Sequence, residues 1–247
     1  MIHGAGASLR QWDLLIPDLE QAGWQAIAPD LTGHGASPRL NGQDGPTVER
    51  LYEDFVDWLE GVPLSGPPVF VAHSMGAYLG LSYALRSGRP VRGLFLANPL
   101  YCHDQVSPHA SSVISRPILY ETLLPRLPGG IVRLALRYLT RDGKHLSAAV
   151  LHSMAEDYRQ LDPRAMAIPN TCLDLSEQAG RLRLPIMVAW GANDRTLQPD
   201  TFRKLVASLS DAAWQELPGG HLPHLAHPGA FNRAVLEFLG GLPEPVG

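Results

Sequence analysis

Short apolar runs alternate along the chain with stretches in which apolar residues recur every three or four positions. This rhythm predicts a parallel sheet wrapped by helices. Val69 to Ala72, cut off upstream by Pro67-Pro68, reads as a buried strand; Val91 to Ala97 reads as another apolar strand, and Pro185 to Trp190 and Ala212 to Leu217 read as strands. Trp24 to Ala28, ending at Pro29-Asp30, reads as a further short strand. Ser8 stands three residues before Gln11, a capping-box spacing, and predicts a helix carrying Trp12, Leu14, Leu15 and Leu19. Thr47 can cap a helix whose apolar face is Val48, Leu51, Tyr52, Phe55 and Leu59. Helices are also expected over Met75 to Leu85, over Asp200 to Leu209, and in a last segment presenting Phe231, Ala234, Val235, Phe238 and Leu239 on one face. Leu31 to Pro46 is rich in Gly, Pro and polar residues and reads as loop. From about Leu100 to Leu161 the strand signal vanishes, and Pro108, Pro117, Pro125 and Pro128 divide the segment into helical pieces such as Ile131 to Leu139. The expected organisation is an α/β core formed by residues 1–99 and 170–247, with a helical lid inserted over 100–169.

Composition narrows the class. A chain of 247 residues with 45% hydrophobic and 18% charged residues can bury one large core. The net charge of −4 comes from interspersed acids and bases with no basic stripe, which argues against a nucleic-acid partner. No stretch approaches the roughly 18 apolar residues of a membrane span. Cys102 and Cys172 offer neither a disulfide framework nor a CxxC metal spacing, so two free thiols in a reducing, cytoplasmic setting are expected. No secretion signal opens the chain as given.

Four junctions carry chemistry. Val69 to Ala72 runs through Ala72-His73-Ser74-Met75-Gly76 into a helix. In such a strand–turn–helix the small residues two positions either side of the serine allow a turn tight enough to push the hydroxyl outward, and the next backbone N–H lies at a helix N-terminus. The five-residue pattern alone would arise by chance on the order of 0.3 times in a chain of this composition; its context lifts it above that. His3-Gly4-Ala5-Gly6 is a small-residue loop whose backbone a substrate can approach, or a plain glycine turn. Gly191-Ala192-Asn193-Asp194 puts a carboxylate just past the end of a strand, where open α/β sheets place their sites, although Asp also forms turns. Gly219-Gly220-His221 follows the last strand. The spacing of His221, His224 and His227 suggests a metal site only weakly, because Pro223 and Pro228 interrupt it and no HExxH is present. His34 and His73 read as structuring residues, and His103, His109, His145 and His152 as solvent-exposed. Trp12, Trp58 and Trp190 read as core; Leu119, Tyr120, Leu123, Leu136 and Tyr138 either line an acyl pocket or pack helix on helix.

Serine, acid and histidine thus occur in that order, each at a strand-to-loop junction. In this the chain resembles the α/β-hydrolase superfamily, in its lidded esterase/lipase branch of monoacylglycerol-lipase and carboxylesterase type. The likeness extends over nearly the whole chain, taking in His3 to Gly6, Asp30-Leu31-Thr32-Gly33-His34-Gly35-Ala36-Ser37, the A-H-S-M-G turn, Gly191-x-x-Asp194, Gly220-His221 and His227-Pro228-x-x-Phe231. The resemblance implies a triad of Ser74, Asp194 and His221, an oxyanion hole from the backbone N–H groups of Ala5 and Met75, a small-molecule ester substrate, and no cofactor or metal. Two features depart from the family. Ala72 replaces the usual first glycine of the elbow, one methyl group that the fold is expected to tolerate. Only Met1 and Ile2 precede His3, where family members carry further strands, so one to three N-terminal strands are expected to be missing.

The function expected is hydrolysis of carboxylic esters with small to medium apolar acyl groups through an acyl-enzyme. C–C bond, thioester or lactone hydrolysis and perhydrolysis on the same triad are the alternatives, followed by a non-catalytic binding protein on this fold. Ser at 74 argues against an Asp-nucleophile dehalogenase or epoxide hydrolase.

Overall fold

The computed structural model describes residues 1–40, 46–108, 127–128, 130–134, 142–210 and 212–244. Four parallel strands, β1 (Val69–His73), β2 (Gly93–Ala97), β3 (Ile186–Gly191) and β4 (Ala212–Leu217), lie side by side in chain order. Their register aligns Ala72 with Leu96 and Leu96 with Val188, so the strand ends that carry the candidate residues fall on one rim.

The continuous apolar runs of β1 to β3 are explained by burial on both faces, the usual state of a parallel sheet, whereas β4 is half exposed, with Trp214 and Glu216 open to solvent. Side chains alternate between two cores. Phe70, Ala72, Leu94, Leu96, Val188 and Trp190 join the core on one face, beneath α2 (Val48–Glu60), α3 (Met75–Arg86) and the helix Pro199–Ser208. Val71, Phe95, Ala97 and Ala189 point the other way, against Trp12, Leu19, Phe231, Val235 and Leu239. Phe95 alone, fully buried, contributes about 2–3 kcal/mol of hydrophobic stabilisation. In α2 the five residues of the expected face are the five buried ones, and the Thr47 hydroxyl caps the helix by accepting the Arg50 N–H at 3.2 Å.

Two expected elements differ. Ser8 to Leu19 is not one helix. Ser8 caps a single 3-10 turn, Leu9–Trp12, and α1 (Ile16–Gln21) starts separately, with Pro17 in its first turn. The Gln11 side chain does not return to Ser8; it turns inward to Gly4 and two histidine rings. Trp24 to Ala28 is not a strand. Among the described residues its backbone has two partners: the Met1 ammonium donates to Ile27 O at 2.6 Å, and the N–H of Trp24 donates back to Leu19 O. On the outer edge of β1, Ile2 is the one residue among those described that forms a parallel bridge, to Ala72. A cavity of about 530 Å³ separates that edge from Trp24–Ile27. A ladder needs a partner along its length, and hydrophobicity alone does not supply one.

Between β2 and β3 the described residues contain no strand. They form a 3-10 turn (His103–Gln105), α4 (Ala148–Gln160), a 3-10 segment (Pro163–Thr171) and α5 (Ser176–Ala179). Val132, Leu146, Leu151 and Ala155 pack on Leu225 and Ala226, seating this segment beside the loop that holds His221. Of the piece Ile131 to Leu139, residues 131–134 are described; His109, Leu119, Tyr120, Leu123, Leu136 and Tyr138 lie outside the described residues. After β3 come α6 (Pro199–Ser208), β4, α7 (Pro223–Ala226) and α8 (Pro228–Gly240). No helix among the described residues is long and apolar enough to cross a membrane.

Candidate active site

Ser74 stands between β1 and α3 with φ 51° and ψ −117°. A non-glycine residue at positive φ carries strain, which the surroundings must hold. Here the backbone does so: Ser74 N–H donates to Ala97 O at 3.0 Å, and Ser74 O accepts from Ala77 N at 3.0 Å and Leu100 N at 3.2 Å. The small residues of the motif have visible reasons. A Cβ on Gly76 would fall 2.4 Å from Ile2 O and 2.6 Å from His3 O, so only glycine lets residues 2–3 pass over the elbow. The methyl group of Ala72 is accommodated in the core beneath, where the position of a Cβ on Gly80 would still lie 3.7 Å away.

Asp194 and His221 are brought to the same rim. His221 Nε2 is 3.2 Å from Ser74 Oγ, and Nδ1 is 2.8 Å from Asp194 Oδ2. The Asp194 side chain is fully buried and accepts from four donors: His221, Asn98 Nδ2 at 2.7 Å, Thr196 N at 2.8 Å and Leu197 N at 3.1 Å. An acceptor-only carboxylate so surrounded requires the hydrogen of a neutral His221 to sit on Nδ1, leaving Nε2 bare toward the hydroxyl. The loops of Asp194 and His221 touch: a Cβ on Gly191 would lie 1.9 Å from Gly220 O.

The loop His3 to Gly6 lies against the elbow, a Cβ on Gly4 falling 2.7 Å from His73 Nδ1 and 3.2 Å from Ser74 Cβ. Leu31 N–H donates to His3 Nε2 at 3.0 Å, which puts the ring hydrogen on Nδ1, where it donates to Gly4 O at 2.8 Å. That carbonyl belongs to the peptide whose other end is the Ala5 N–H, so a buried histidine fixes the direction of the candidate oxyanion donor. Burial pushes His3 down to about 4 and so keeps it neutral. Among the described residues neither Ala5 N–H nor Met75 N–H has a protein acceptor. Asp30 ties the neighbouring loop down, accepting from Leu9 N at 2.7 Å and Ala36 N at 2.8 Å.

The other histidines diverge. His34 and His73 are buried; burial pushes His34 down to about 3 and His73 well below the usual imidazole range. His224 turns into the core beside Trp12 and Phe231, and His227 packs at a tilt against exposed His145, ring centroids 4.6 Å apart. His221, His224 and His227 thus face three different environments, and the described residues hold no cluster of three metal-ligating side chains. His103 and His152 are exposed. Trp12 and Trp190 are buried and Trp58 is partly buried, as expected.

Two supporting residues were not singled out from the sequence. Asn98, at φ 43° just past β2, holds Asp194; its place after a strand end was the same signal that marked Asp194 itself. Asp142 is buried and grips both sides of the base, accepting from Gly220 N at 2.5 Å and Leu222 N at 3.0 Å. Nothing local marks it, because its partners lie far away in sequence.

The alpha/beta hydrolase family model matches residues 1–234, and the chain belongs to that family. It is similar to the 2-hydroxy-6-oxo-6-phenylhexa-2,4-dienoate hydrolase of Burkholderia cepacia, 25% identical across 97% of this chain and 86% of the relative. It is also similar to the pimeloyl-[acyl-carrier protein] methyl ester esterase of Chromobacterium violaceum, 29% identical across 85% and 82%. A thermophilic esterase from Thermogutta terrifontis superposes with a TM-score of 0.77 at 20% identity, covering 97% of this chain and 88% of the other, a likeness of fold.

Proposed function

We propose that the protein is a serine hydrolase of carboxylic esters with small to medium apolar acyl groups, of the lidded esterase/lipase type, with Ser74 as nucleophile, His221 as general base and Asp194 as the acid that orients it. The observation that carries this reading is the unbroken line from the Ser74 hydroxyl through His221 to Asp194, at 3.2 and 2.8 Å. In the proposed mechanism Ser74 Oγ attacks the acyl carbon while His221 Nε2 takes its proton. Asp194 stabilises the imidazolium. The N–H groups of Ala5 and Met75 bind the oxyanion, each contributing about 3–4 kcal/mol in comparable sites. As the tetrahedral intermediate collapses, the alcohol leaves with the proton from Nε2; water, activated by the same nitrogen, then releases the acid. Leu222, Met154 and Tyr158, partly buried beside the base loop and the loop of residues 3–6, support an apolar acyl group.

A second reading, C–C bond hydrolysis by the same residues, is supported by the likeness to the dienoate hydrolase of Burkholderia. A panel of p-nitrophenyl esters from acetate to octanoate, run beside a 2-hydroxy-6-oxo-dienoate, decides between them. The ester reading predicts turnover of short esters well above that of the dienoate, abolished in Ser74→Ala. Cleavage of the dienoate alone supports the second reading, and turnover of neither by a folded chain supports a binding protein.

A further inference from the structure

The buried side chain of Gln11 reaches three parts of the candidate site. Its Oε1 accepts from Gly4 N at 3.0 Å, and its Nε2 lies 2.8 Å from His73 Nδ1 and 2.6 Å from His224 Nε2. His73 Nε2 in turn lies 2.8 Å from the carbonyl oxygen of His221. All these atoms are buried or nearly so, so each hydrogen must go somewhere definite. The direction of the chain follows from elementary pairing. Gly4 N–H is a fixed donor, so the amide must turn its oxygen to Gly4; the flipped amide would set donor against donor. The two hydrogens of the amide nitrogen then face the two rings, and both facing ring nitrogens must be bare. His73 therefore carries its hydrogen on Nε2, where it donates to His221 O. His224 carries its hydrogen on Nδ1, for which the described residues offer no acceptor. An imidazole held with an unpartnered N–H, wedged between Trp12 and Phe231, indicates that the amide outweighs that ring's own preference.

We infer that Gln11 is a positioning residue, which locks the loop of the candidate oxyanion donor to the loop of the candidate base through one directed hydrogen-bond chain, Gly4 N–H to Gln11 to His73 to His221 C=O. The inference rests on the hydrolase reading above. It explains why Gln11 leaves its capping position at Ser8. The neutral state that the chain demands agrees with burial, which pushes His224 down to about 3. Without the amide, the peptide that presents Ala5 and the backbone that presents His221 lose the tie that couples them, each keeping only its own anchor, His3 on one side and Asp142 on the other. A displacement of about 1 Å at reacting groups costs on the order of 100-fold in rate.

Gln11→Met keeps the volume and removes the polar tie; Gln11→Glu keeps the acceptor for Gly4 but puts an oxygen against two bare nitrogens. With p-nitrophenyl butyrate both variants should lose about 10- to 100-fold in kcat with KM within about twofold. A side chain that only supported the fold would lower Tm and leave kcat per folded molecule unchanged, and that result overturns the inference. Ring nitrogen-15 spectra of the unmodified protein give a readout independent of activity and of variant folding. They should show His73 protonated on Nε2 and His224 on Nδ1, both neutral at pH 7; His73 protonated on Nδ1 overturns the chain. If the wild type neither turns over esters nor reacts at Ser74, the hydrolase reading has failed, and the inference about the tie is then judged by the tautomers and by whether Gln11→Met shifts the Ala5 amide and His221 ring signals together. Signals that stay in place refute it.

Discussion

The proposed nucleophile and the proposed acid–base pair are held by different means. Ser74 is placed by its backbone: a strained φ of 51°, hydrogen bonds from its own peptide groups, and a glycine at 76 that lets another segment pass at van der Waals distance. Asp194 and His221 sit on loops and are held largely by side chains arriving from far along the sequence, Asn98 on Asp194, Asp142 on both neighbours of His221 and His73 on its carbonyl, with the local backbone N–H groups of 196 and 197 completing the shell of Asp194. Backbone placement makes one small residue indispensable, whereas side-chain placement spreads the task over several residues whose separate removal costs less. The difference gives a graded set of expectations.

Acid should strike both halves at once. His3 near 4, His34 and His224 near 3, and His73, which burial holds well below the usual imidazole range, all lie below the unfolded value of about 6.5. Below pH 6.5 the unfolded chain therefore takes up protons that the folded one refuses. The stability these rings contribute is complete above that pH and is lost as pH falls toward 3–4. At about 1.4 kcal/mol per pH unit per ring, lowering pH from 7 to 5.5 should remove about 5 kcal/mol, measured as a drop in urea midpoint. A flat midpoint over that interval would mean that the rings are charged or exposed.

Gly76→Ala is the next largest. Its methyl group meets two backbone carbonyl oxygens with no flexible side chain to yield, and should cost about 3 kcal/mol and at least about 100-fold in kcat/KM. Asn98→Ala removes one of four donors from Asp194 and should lower kcat about 10- to 100-fold at nearly constant KM. Asp142→Asn exchanges one of two acceptors for a donor and should cost about 10-fold in kcat. If Asp142→Asn proves as damaging as Gly76→Ala, the base is held at one point, and the contrast between the two halves fails.

The same contrast explains what the sequence discloses. The tight turn at Ser74 and the meeting of Asp194 and His221 on one rim are legible because local constraints leave local marks: Gly76 and Ala72 beside Ser74, and strand ends before Asp194 and His221. Buried strands and the face of α2 were legible from periodicity. Gln11, Asn98 and Asp142 act across the fold, and an amide or carboxylate in a loop looks the same whether it meets water or a buried ring. Gln11 was read as half of a capping box for this reason: the local spacing was right, but the stronger partner was Gly4. Trp24 to Ala28 shows the converse, an apolar run that its neighbours do not complete into a strand.

The central claim is that the Ser74 hydroxyl is activated by His221. The most direct test is the rate and position of modification by a fluorophosphonate, read by peptide mass spectrometry. The account predicts a single adduct on Ser74 in the folded wild type, slowed at least 100-fold in His221→Ala and absent in Ser74→Ala. A folded wild type that stays unmodified, or that reacts at the same rate without His221, would contradict it.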